Sequence, residues 1–117
     1  MIVNFENSQP ILRVEDMSRA LSFYVDLLGF TNADWGDEEF TNISRDAAGI
    51  YLSHGDQGLG QAWIWIGVDD VARLHEEYVA LGVRIRMAPT NYPWALEMHV
   101  EDPDGNVIRF GSEPLTE

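Results

Sequence analysis

The chain has 117 residues, 45% of them hydrophobic and 11% aromatic, which suits one domain with a real core and excludes disorder. Cysteine is absent, so a disulfide scaffold, a thiolate zinc site and a cysteine nucleophile all fall away. Twenty acids against seven arginines and no lysine give a formal net charge of −13, which disfavours nucleic acid and anionic membranes and attracts cations. No apolar run approaches the ~20 residues of a membrane span. The opening MIVNFENSQP lacks a basic segment ahead of an apolar one, and a soluble, cytoplasmic protein is expected.

In chain order, an apolar strand ends at Val14, and Asp16 follows as a helix N-cap. Met17, Ala20, Leu21, Tyr24 and Leu28 recur at three- and four-residue spacing, one apolar helical stripe, and Gly29 suits a left-handed C-terminal cap. Strand-like runs follow at 30–33, 39–45 and 49–53, around the ambiguous WGDEEF. A Gly-rich polar linker covers 54–60. Then the order repeats: a strand ending at Val68, an N-cap at Asp70, a stripe of Val71, Leu74, Tyr78 and Leu81, and Gly82. Strand-like runs at 83–87, 95–101 and 106–111 follow, the last two joined by the tight turn Asp102-Pro103-Asp104-Gly105.

Asp16 and Asp70 are 54 residues apart, Tyr24 and Tyr78 54, and Gly29 and Gly82 53. One module is used twice. The expected fold is α+β: two tandem βαβββ modules, about 9–53 and 61–113 of a single domain, making a cupped mixed sheet with helices on its outer face.

Strand, VxD, an amphipathic helix with Phe23-Tyr24, Leu28-Gly29-Phe30 and the final Asp102-Pro103-Asp104-Gly105-Asn106 hairpin together resemble the vicinal-oxygen-chelate superfamily. That group includes glyoxalase I, extradiol dioxygenases and the bleomycin-resistance proteins. Ala62 to Ile66, Pro93-Trp94 and the hairpin are similar to the bleomycin-resistance branch. In the enzymes of the group, metal ligands stand on the first and last strand of each module, and the resemblance carries these positions to Gln9, Tyr51, Trp63 and Arg109. Gln9 is a plausible ligand and Tyr51 a poor one. Trp63 has no lone pair to give, and Arg109 is permanently cationic. A divalent ion needs about three N or O ligands. No metal, no cofactor and no catalytic residue is therefore expected.

Glu97, His99 and Glu101 alternate on one face of a strand and could hold a metal, or could form a solvated face or pair with an arginine of the next strand. The same alternation turns Gln9, Ile11, Arg13, Gly49, Tyr51, Ser53, Trp63, Trp65, Gly67, Val107 and Arg109 toward the cup. Leu12, Val14, Ile50, Leu52, Ile64, Ile66, Ile108 and Phe110 then face the helices. Two Trp and a Tyr with Gln and Arg suit a planar organic molecule, unless Trp63 and Trp65 merely plug the cup or an interface. Trp35 and Phe40 stand among acids at Asp34 to Glu39, which suits a cationic aromatic ligand or a solvated loop. The expected binding set is Gln9, Trp35, Phe40, Tyr51, Trp63, Trp65, Trp94 and Arg109. The resemblance implies a homodimer whose clefts draw on both subunits, and a role in sequestering a small aromatic or cationic compound, as in antibiotic resistance. The alternative is a metal-dependent glyoxalase- or dioxygenase-type enzyme.

Overall fold

The computed structural model describes residues 2–116. Its order is β1 (Ile11–Arg13), α1 (Met17–Leu21), a π-helical continuation (Ser22–Leu27), then β2 (Thr31–Asn32), β3 (Phe40–Arg45) and β4 (Ala48–Ser53). The second half follows as β5 (Trp63–Gly67), α2 (Val71–Ala80), β6 (Ile85–Asn91), β7 (Leu96–Glu101) and β8 (Val107–Ser112). Two four-stranded mixed sheets result, ordered β1-β4-β3-β2 and β5-β8-β7-β6. The βαβββ repeat is present in both halves. The strand expected at 30–33 shortens to two residues, because Phe30 turns into the core and Asp37 curls the following loop by accepting the amides of Glu39 and Phe40.

The caps explain where the helices start and stop. Asp16 Oδ1 accepts the Arg19 amide at 3.1 Å, and Asp70 Oδ1 accepts that of Arg73 at 3.0 Å. Gly29 and Gly82 close the two helices at φ +82° and +79°, where a side chain is strained. In α2 the Val83 amide returns to Tyr78, whereas in the first half the Phe30 amide returns to Tyr24, one residue further back. The extra residue is absorbed by the π turn, in which the Leu28 amide bonds the Phe23 carbonyl 3.0 Å away.

Alternation along the strands builds one core. Leu12, Val14, Ile50, Leu52, Ile108 and Phe110 are all buried against Tyr24, Leu28, Leu74 and Tyr78 from the helices, with Ile64 and Ile66 packed at its margin. The halves also exchange polar bonds across their seam. Tyr24 donates to Asp102 at 2.6 Å, and Tyr78 donates to the Leu28 carbonyl at 3.0 Å. Burial and the nearby Asp102 push the Tyr24 hydroxyl well above its ordinary pKa, and burial raises Tyr78 to about 12. Both stay donors. Arg45 adds an ion pair to Glu77 at 3.0 Å.

No helix among the described residues is long and apolar enough to cross a membrane.

Candidate functional site

The faces turned away from the helices carry the expected residues. In the first half Trp35, Phe40 and Tyr51 form a ladder, with centroids 6.4 Å and then 5.3 Å apart and planes within 28° and 19°. Asn42 donates to Gln9 Oε1 at 2.7 Å, and the Gln9 side chain lies over Gly49, where a Cβ would collide with it. Ser53, expected toward the cup, is buried and accepts the Gly55 amide instead.

In the second half Trp63 and Trp65 are 56% and 50% exposed, so they are not core residues. Trp65 lies across Gly111, whose missing side chain leaves room for the ring, and beneath the Arg109 guanidinium, 5.4 Å from its centroid. Trp63 meets His99 edge-on and has Arg86 5.3 Å from its ring centroid. Trp94 stacks on Tyr92 with centroids 4.8 Å apart. Val107, also expected on this face, is buried.

Glu97 ties this face together. It is 1% exposed, yet its Oε1 accepts Arg109 Nε and its Oε2 accepts Arg109 Nη2 at 3.0 and 2.9 Å. Oε2 also accepts the Trp94 indole N–H, and His99 Nε2 lies 3.0 Å from Oε1. Arg109 above all lowers the Glu97 pKa to about 2; burial opposes, while His99 and Trp94 reinforce the shift. The alternating acids of β7 therefore serve as ion-pair partners of arginines, Glu97 with Arg109 on β8 and Glu101 with Arg86 on β6.

Three of the four positions that the resemblance carries over from the enzymes do not suit a divalent cation. Gln9 is bonded to Asn42, Trp63 offers no lone pair, and the Arg109 guanidinium brings its own positive charge. No group of three or more His, Asp or Glu among the described residues is arranged to hold a metal.

Two cavities flank the seam between the sheets. One of about 360 Å³ is lined by Gln9, Gly49, Trp65 and Gly67, and so joins expected residues of both halves. The larger, about 580 Å³, is bordered by Arg45, Asp46, Arg73 and Glu77; it shares Gly67 with the first and holds none of the eight residues of the expected binding set. The Trp35 ladder and the Trp65–Arg109–Glu97–Trp94 group have no mutual ring contact or hydrogen bond among the described residues. Glu97 as organiser, Arg86 and Tyr92 were outside the expected set. Alternation of acids beside arginine-bearing strands is the only signal the sequence offers for them.

A family model described as the Glyoxalase/Bleomycin resistance protein/Dioxygenase superfamily matches residues 7–110. The chain belongs to this superfamily. Among solved structures, the bleomycin-binding protein from bleomycin-producing Streptomyces verticillus, complexed with copper(II)-bleomycin, is 30% identical, with a TM-score of 0.78 over 95% of this chain and 98% of that one. This likeness supports the bleomycin-resistance-like branch of the superfamily. TnmS3, an antibiotic binding protein from Streptomyces sp. CB03234, is 23% identical with a TM-score of 0.81, covering 96% of this chain and 99% of its own. Lactoylglutathione lyase from Agrobacterium tumefaciens shares the fold at 18% identity and a TM-score of 0.74, over 91% and 92% of the two chains. No curated protein matches the sequence significantly.

Proposed function

We propose that this superfamily member is a metal-independent small-molecule-binding protein that sequesters a planar aromatic compound. The observation that carries this reading is the half-exposed Trp65, held by Gly111 and by Arg109, whose partner Glu97 also immobilises Trp94. Large exposed rings cost solvation, and fixing them in advance removes part of the entropy of binding. The bleomycin-binding and antibiotic-binding relatives support a small ligand. Exposed Asp34 and Glu38 beside Trp35, together with the net charge, favour positive charge on the compound. A second copy of the chain completes the cup, covering Trp35, Trp63 and Trp94, each more than half exposed in one copy.

The test is a thermal-shift screen of heteroaromatic compounds, bleomycin included, run on the wild type and on Trp65→Ala with light scattering in parallel. A compound at a hundredfold excess over its Kd adds about 2.7 kcal/mol to apparent stability. The expected outcome is a rise in Tm for at least one aromatic compound in a dimeric wild type, lost in a folded Trp65→Ala. A chelator that lowers Tm, restored by a divalent metal, overturns metal independence. A monomer at micromolar concentration overturns the shared cup.

A further inference from the structure

Arg109 has more donors than its partner uses. Nε and Nη2 are taken by Glu97, while Nη1 has no partner among the described residues, and the side chain is 38% exposed. A guanidinium left to itself on a surface samples many rotamers. This one is fixed by a fork-to-fork pair with a carboxylate that is almost wholly buried. Glu97 has no exposed oxygen with which to meet a ligand, since both already accept bonds from Arg109, and Trp94 and His99 complete the set. Its charge is spent on orientation. The result is a half-exposed indole at Trp65 with the Arg109 guanidinium over its ring, carrying a charged N–H donor that has no partner among the described residues.

A planar compound packed against the exposed part of Trp65 therefore meets a donor, not an acceptor, at its edge. The Arg86–Glu101 pair beside Trp63 repeats the arrangement in part, with a guanidinium near an exposed indole and its carboxylate less accessible than the arginine. This face presents arginine donors although the molecule as a whole is acidic.

Resting on the ligand-binding reading above, we infer that the compound is recognised through an oxygen acceptor on the edge of its planar ring, a carbonyl, phenol or carboxylate received by Arg109 Nη1. Glu97 is the positioning residue that aims this donor. The positive charge expected on the compound then lies away from this edge.

A pair of neutral probes that differ in one oxygen isolates the claim: 1-indanone carries a ring-edge carbonyl and indane does not. Both are titrated against the whole protein while the indole Nε1–H resonances of Trp65 and Trp94 are followed. In the wild type 1-indanone binds about tenfold or more tighter than indane, the scale of a hydrogen bond from a charged donor. In the double variant Glu97→Gln/Arg109→Gln, which removes both charges together and leaves no unpaired buried carboxylate, the two probes bind alike. In Glu97→Gln alone the Trp94 N–H loses its protection from exchange and the preference for 1-indanone shrinks. A Glu97 that only supports the fold would lower Tm and leave the preference untouched, which overturns the positioning role.

Equal binding of the two probes to the wild type overturns the acceptor inference and leaves aromatic binding standing. A preference that survives in the double variant also overturns it. If neither probe moves any indole resonance at its solubility limit, the aromatic-binding reading fails together with the inference.

Discussion

The two halves share an architecture and fill it with different chemistry. Register equates Ile11 with Trp65, since each is the edge-strand partner of Tyr51 and Arg109 respectively. By the same pairing Phe40 stands where Glu97 does, opposite Ser53 and Gly111. The first half thus holds a Phe40–Tyr51 stack at positions where the second holds the Glu97–Arg109 ion pair. An aromatic stack gains from area and needs no partner for charge. A buried carboxylate must be fully hydrogen-bonded or it destabilises the sheet. The same pleated surface accepts either solution, so the backbone repeat fixes the cup while its lining is free to diverge.

Breaking the charged half should cost more than breaking the aromatic one. Glu97→Ala removes a carboxylate that holds Arg109 and Trp94, and about 3 kcal/mol of unfolding free energy is expected to go with it at neutral pH. The remaining Arg109 can reach water, which keeps the loss below that of a fully stranded charge. Phe40→Ala should cost about 1–2 kcal/mol, a half-buried stack. Acid sharpens the contrast. The folded-state pKa of Glu97 is depressed from 4.5 to about 2, so its contribution is complete above pH 4.5 and is lost as the pH falls through about 2. Urea titrations of wild type and Glu97→Gln should therefore converge as the pH falls from 4.5 toward 2, while Phe40→Ala stays at a constant offset. Parallel curves for Glu97→Gln would remove the ion pair as the source.

The repeat itself was legible in the sequence because it rests on local signals: Asp16 and Asp70 as caps, Gly29 and Gly82 as stops, and period-2 alternation through Trp63 to Gly67. The exposure of Trp63 and Trp65, opposite in direction to the core-facing Ile64 and Ile66, follows from the same alternation. The π turn was foreshadowed by the offset falling from 54 to 53 between the tyrosines and the glycines, although periodicity alone does not name the helix type. Glu97 was legible only as a possible ion-pair partner for an arginine of the next strand. Its burial depends on how Arg109 from β8 and the nearby Trp94 close over it, and the Glu97-His99-Glu101 alternation reads equally as a solvated face. Similarly, the small size of β2 depends on Asp37 capturing the loop amides, which strand propensity does not register.

Across the seam the equivalent tyrosines reach into the opposite half, and their acceptors differ. Tyr24 donates to a carboxylate oxygen of Asp102, whose other oxygen receives the Asp104 and Asn106 amides and so holds the hairpin closed. Tyr78 donates to the Leu28 carbonyl, which Arg45 also serves at 2.8 Å. Tyr24→Phe is expected to cost about 2 kcal/mol and Tyr78→Phe about 1 kcal/mol, following charged against shared neutral acceptors. Denaturant midpoints at unchanged m-value measure both. If Tyr78→Phe costs as much or more, the seam is held from the Leu28 side, and the hairpin anchor is secondary.

The smallest difference lies in the two helix-ending glycines, and it isolates packing from backbone strain. Both have positive φ within 3° of each other, so alanine at either adopts a left-handed conformation at a cost of about 1–2 kcal/mol. At Gly82 an added Cβ meets nothing within 4 Å, and that strain is the whole effect. At Gly29 the Cβ would come 2.9 Å from Arg45 Nη1, and this arginine cannot swing aside freely. It is bonded to the Leu28 carbonyl and to Glu77, so moving it loosens one of the bonds between the halves. Gly29→Ala should therefore exceed Gly82→Ala by about 1 kcal/mol, one such hydrogen bond. Adding Glu77→Ala to each tests the origin: the excess at Gly29 should shrink once Arg45 no longer has its carboxylate to hold, because the two sites are coupled, and the value at Gly82 should add independently. Equal costs at the two glycines would mean that Arg45 yields without loss, and that the ion pair across the seam contributes little to holding the modules in register.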